Sequence, residues 1–101
     1  MSIRLLFSSQ AHQDLARLDE FLWHASDPLA NELMSFILDG LQVLSHQPGI
    51  GRPVGAGQRE LIINRGRGGY LARYRWDRER RAAIVLRIRH QREAGYTDDE
   101  L

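Results

Sequence analysis

Apolar residues Ala11, Leu15, Leu18, Leu22 and Ala25 recur at steps of four, three, four and three. That spacing lines one stripe of an α-helix. Ser8 precedes the stripe and can cap it, because its hydroxyl accepts from an otherwise unpartnered backbone amide. The short apolar run Ile3–Phe7 before it predicts a strand. A second helix is predicted from Asp27-Pro28, with Asp27 as cap and Pro28 at the first helical position, where no amide is needed. Its apolar set, Leu29, Leu33, Phe36, Ile37, Leu41 and Leu44, covers a wide face. Such a face predicts contact with both the first helix and a sheet. Pro48-Gly49 ends it.

Beyond the helices the apolar period changes to two. Arg59–Asn64, Tyr70–Trp76 and Ala82–Arg89 read as strands, the last two joined by a charged turn at Asp77–Arg81. The run Arg65-Gly66-Arg67-Gly68-Gly69 reads as a turn. Four glycines and Pro53 make Gly49–Gly57 a loop. The element order is strand, helix, helix, strand, strand, strand. It predicts an α+β domain, a small antiparallel-rich sheet with a helical hairpin packed on one face.

Alternation along the strands assigns faces. Tyr70, Ala72, Tyr74 and Trp76 point one way, as do Ala82, Ile84, Leu86 and Ile88, and these sets should meet the helices. Arg73 and Arg75, with Arg87 and Arg89 on the neighbouring strand, then share the opposite face. Like charges on adjacent strands repel, so something anionic should offset them, whether phosphate, an acidic partner segment or Glu60.

The chain of 101 residues contains 14 cationic side chains, and all of them are arginine. Twelve lie between Arg52 and Arg92, against only four acids as far as residue 96. The first 50 residues hold six acids and two arginines, and the end adds Asp98, Asp99 and Glu100. The formal net charge of +1 therefore conceals a strongly cationic middle. Guanidinium forks suit carboxylates and phosphates, so this face reads as a binding face. Cysteine is absent, which excludes disulfides and thiolate chemistry. No apolar run approaches the roughly 18 residues of a spanning helix. These features predict a cytoplasmic protein without a membrane partner, metal or cofactor. They also predict one domain over residues 1–96, followed by an acidic, mobile tail at 97–101.

Short landmarks occur in order: Ala11-x-x-Asp14-Leu15, Pro48 then Gly51-Arg52, Arg59-Glu60-Leu61, Tyr70 to Tyr74-Arg75, and Val85-Leu86-Arg87-Ile88 leading to His90-Gln91-Arg92. This series resembles the RelE/ParE superfamily of type II toxin–antitoxin toxins, from Phe7 to about Arg92. The resemblance implies the fold already derived. It also implies a cognate antitoxin, in a complex that can be a heterotetramer. Two activities fall within it. ParE-like members trap DNA gyrase on cleaved DNA, whereas RelE-like members cleave messenger RNA on the ribosome.

Arginine composition separates the two. RNA cleavage needs a proton acceptor for the 2′-hydroxyl and a donor for the leaving oxygen, and arginine does not deprotonate at accessible pH. No lysine is available. A ribonuclease would draw on His90, Arg92 and Tyr96, the last two resembling the end of the RelE-like pattern at shorter spacing. The parity of His90 favours a structural role at the sheet edge. The expectation is a ParE-like gyrase inhibitor that binds its antitoxin or its target through Arg52, Arg73, Arg75, Arg87, Arg89 and Arg92.

Overall fold

The computed structural model describes residues 3–24, 32–65 and 68–93. The Asp27-Pro28 helix start and the 97–101 tail lie outside them. In chain order the described elements are β1 (Arg4–Phe7), α1 (Ser9–His24), α2 (Leu33–Leu41), a 3-10 turn (Gln42–Ser45), β2 (Arg52–Gly55), β3 (Gln58–Arg65), β4 (Gly68–Asp77) and β5 (Ala82–His90). The strands form one sheet in the order β1-β5-β4-β3-β2. β1 runs parallel to β5, and the other pairs are antiparallel.

Both helices pack on one sheet face, as their stripes predict. Ala11, Leu15 and Leu18 of α1 join Leu33, Ile37, Leu41 and Leu44 over Ile63, Tyr70, Ala72, Tyr74, Ala83, Val85 and Ile88. Ser8 caps α1 as expected: its Oγ accepts from the Ala11 amide at 3.0 Å. The same hydroxyl donates to the Leu86 carbonyl at 2.8 Å, which ties the cap to β5.

Two expectations need correction. The predicted Gly49–Gly57 loop contains β2, a short edge strand. Pro53 is tolerated there because an edge strand need not donate on both sides. A tight reversal follows, with positive φ at Gly55 (96°), Ala56 (54°) and Gly57 (71°). The alternation assigned to β5 also breaks midway. Arg73 pairs with Arg87 but Tyr74 pairs with Val85, so Leu86 is an extra residue in a β-bulge. Core positions change parity across it: Ala83 and Val85 before, Ile88 after. Ile84 and Leu86, expected in the core, are only half-buried.

Arg87, expected on the open face and paired there with Arg73, is buried. Its Nε and Nη2 donate to Oδ2 and Oδ1 of Asp14 on α1 at 2.9 and 3.1 Å. Asp14 Oδ2 also accepts from the Ile88 amide at 2.9 Å. β1 pairs with β5 only as far as Val85. Beyond it, the Asp14 carboxylate serves the backbone that β1 leaves.

α2 sits close to β3 because Gly40 has no side chain. A Cβ there would lie 2.7 Å from Ile63 Cγ2. Alanine would improve helix propensity by about 1 kcal/mol, but overpacking a core of this kind costs about 1–3 kcal/mol. Gly40→Ala is therefore expected to lower stability in denaturant unfolding. A gain would show that the helix can shift away at no cost.

Candidate functional site: an arginine face and a helical groove

The open sheet face carries a row of charges set by strand register. Arg52 of β2 lies opposite Glu60 of β3, and Glu60 lies opposite Arg73 of β4. Arg52 Nη2 donates to Glu60 Oε1 at 2.8 Å. Glu60 is buried, while the Arg52 side chain is largely exposed. The anion that arginine repulsion demanded is thus partly built in. Arg73 faces Glu60 across the ladder, and Arg87 has Asp14.

The predicted site residues consequently separate. Arg52, Arg73, Arg75, Arg87 and Arg89 share the open face by register, but the Arg87 side chain is turned to Asp14 of α1. Arg75 is exposed, and its side chain makes no hydrogen bond or ion pair among the described residues. Arg89 Nη1 donates to the Glu93 carbonyl at 2.7 Å. The Glu93 carboxylate accepts two hydrogen bonds from Arg17 of α1, at 2.7 and 3.2 Å. Arg17 and Glu93 therefore tie the turn after β5 to the helix, a role the sequence reading missed. Arg92 is exposed beyond β5.

His90 is engaged structurally. Its Nδ1 accepts from the Arg92 amide at 3.0 Å. Its ring stands edge-on to Tyr70, with centroids 5.1 Å apart. Tyr96, the third member of the ribonuclease set, lies outside the described residues.

The middle landmarks turn out to be a single clamp. The Tyr74 hydroxyl donates to the Pro48 carbonyl at 2.6 Å and accepts from the Gly51 amide at 2.9 Å. Arg59 Nη1 donates to the carbonyls of Gly49 and Gly51 at 3.1 and 2.8 Å. Gly51 is required by this approach, since a Cβ would lie 2.7 Å from the Tyr74 hydroxyl. The clamp sets the entry into β2 and so positions Arg52 on Glu60.

On the other side of the molecule, a shallow apolar groove of about 420 Å³ runs between α1 and α2. Phe7, Leu15, Ala16, Met34 and Leu38 line it, with His12 and Asp19 at its border. None of the described helices is long and apolar enough to cross a membrane.

Comparison with known proteins decides the family. The model of the ParE toxin of type II toxin–antitoxin system, parDE, matches residues 5–95. The chain belongs to the ParE toxin family. Its fold is similar to a chain of the RelBE2 toxin–antitoxin complex from Mycobacterium tuberculosis, with a TM-score of 0.55 and 25% identity, covering 90% of this chain and 100% of that one. No curated protein matches it. The toxin is thus an α+β member of the RelE/ParE superfamily.

Burial raises the pKa of the Tyr74 phenol above its ordinary 10.0, while the Gly51 hydrogen bond and the Arg59 charge oppose the shift. A raised folded pKa means the native state keeps the proton longer than the unfolded chain. That stability is fully present below the unfolded value and is lost as pH rises through the folded one. Tyr74→Phe should cost about 1–3 kcal/mol near pH 8 by leaving two backbone groups unpartnered. Urea unfolding near pH 8 and near pH 11 should show this gap shrinking at the higher pH. A constant gap would contradict the clamp's dependence on a protonated phenol.

Proposed function

We propose that this toxin inhibits DNA gyrase by binding it and trapping the cleaved-DNA complex, and that a cognate antitoxin neutralises it. The observation that carries the reading is what surrounds the arginine face. Arg52 and Arg75 present exposed guanidinium groups suited to carboxylates or phosphates. The nearest proton-transfer candidates are already engaged, Glu60 by Arg52 and His90 by the Arg92 amide. The face is equipped to grip an anion before it is equipped to move a proton.

The antitoxin would use both sides of the toxin. The groove between α1 and α2 suits the apolar stripe of an amphipathic helix. Phe21, 68% exposed on α1, adds apolar surface along the same helix. An extended acidic segment would meet Arg52, Arg73, Arg75 and Arg89 on the sheet. Arg87 is withdrawn from that set because Asp14 already holds it.

The direct test adds toxin, freed of antitoxin, to gyrase with supercoiled plasmid and, separately, to translating ribosomes. Linearised plasmid with intact message is expected. Cut message with unaffected gyrase would establish the ribonuclease reading instead, and silence in both would leave an antitoxin-binding module. Arg75→Glu should weaken antitoxin binding by about tenfold, or about 1.4 kcal/mol, with a shallower salt dependence. Unchanged affinity would make the arginine face a solvated surface.

A further inference from the structure

A second cationic cluster lies away from Glu60, at the end of the sheet where β4 turns into β5. Arg78, Arg80 and Arg81 occupy the turn, and all three are exposed. Arg4, at the start of β1, joins them: its amide donates to the Arg81 carbonyl at 2.9 Å and its Nη2 to the Arg80 carbonyl at 3.0 Å. Four arginines separated by as many as 77 positions in the chain thus meet at one tip. Two carboxylates accompany them. Asp77 is occupied in shaping the turn, its Oδ1 accepting from the Arg80 amide at 3.1 Å and its Oδ2 lying 3.6 Å from Arg80 Nε. Glu79 is exposed.

The turn also keeps an arginine where another residue would fit more easily. Arg81 has a φ of 50°. In that left-handed region Cβ crowds the backbone, and glycine or asparagine is the ordinary choice.

We infer that this hairpin end is a nucleic-acid contact, with Arg4, Arg78, Arg80 and Arg81 holding phosphates of the backbone. Tight protein interfaces are anchored by aromatic or apolar side chains in desolvated pockets. Of the large apolar side chains that are exposed among the described residues, Phe21, Ile50, Val54 and Ile62 lie elsewhere, and only Leu6 of β1 is near. An exposed turn rich in guanidinium groups and poor in apolar anchors matches the polar, cationic character of nucleic-acid interfaces. Side chains on β1 and the β4–β5 turn span about two strand spacings, roughly 10 Å. That approaches the roughly 12 Å width of the DNA major groove, so both of its bordering backbones are within reach. The contact does not depend on the gyrase reading, because it needs only the phosphate backbone.

Fluorescence anisotropy of the full chain with a labelled duplex of about 20 base pairs, and with a single-stranded RNA of about that length, tests this without gyrase or ribosome present. With four phosphate contacts, log K against log salt should fall with a slope of about −3 to −4 for DNA over roughly 50–200 mM salt. Arg78→Ala with Arg80→Ala should weaken binding at least about tenfold and reduce the slope's magnitude by about 2. Both side chains are exposed, so the fold should survive, and an unchanged thermal transition would verify it. Arg65→Ala, at the end of β3 away from this turn, should leave binding unaltered. The tighter of the two probes identifies which nucleic acid the tip prefers. The inference is overturned if neither probe binds at low salt, if the double variant binds as the parent does, or if Arg65→Ala weakens binding as much.

Discussion

The polar contacts that join the middle of α1 to β5 centre on the Asp14 carboxylate. Its two oxygens hold the Arg87 guanidinium and the Ile88 amide. These contacts lie just past the point where β1 stops pairing with β5. Without them, a buried guanidinium would lose the Asp14 carboxylate and a strand would present open backbone under α1. Breaking one side of a buried ion pair costs about 3–5 kcal/mol. The Leu86 bulge, the Ser8 cap that donates to the Leu86 carbonyl, and the Arg17–Glu93 pair all lie within the same seam.

The arginine-rich half of the chain therefore has two populations. Arg59 and Arg87 hold the frame, one by clamping the entry to β2 and the other by closing α1 on β5. Arg52, Arg75, Arg78 and Arg92 are exposed and available to partners. Guanidinium serves both uses because its planar fork satisfies two acceptors at once and its charge never titrates away. At Arg87 the fork is used in full, Nε and Nη2 each meeting one Asp14 oxygen. Belonging to the ParE toxin family agrees with such a frame, and the proposed gyrase contact uses the exposed population.

Much of the fold was legible because its signals are local. The steps from Ala11 to Leu18, the hydroxyl of Ser8 and the alternation of Tyr70, Ala72 and Tyr74 each act within a few residues. β2 was hidden because its glycines and Pro53 carry loop signals that an edge position tolerates. The burial of Arg87 was unreadable for a different reason. Its register opposite Arg73 matches the expected face, and the contact that turns its side chain to α1 is with a carboxylate 73 positions away. The Tyr74 clamp spans 23 to 26 positions, so its members appeared only as ordered landmarks, and their mutual contact emerged in three dimensions. On the open face, Arg52, Arg75 and Glu60 were individually identifiable, but their row depended on strand register.

The coupling between Asp14 and Arg87 is what most directly measures how α1 is held to β5. A double-mutant cycle using Asp14→Ala, Arg87→Met and their combination, followed by equilibrium urea unfolding, isolates it. Each single substitution should cost about 3 kcal/mol or more, and the double variant should recover about 2 kcal/mol of the summed loss, because neither charge is then left buried alone. Additive losses would contradict the account, and Arg87 would then be one more arginine that merely lies near a carboxylate.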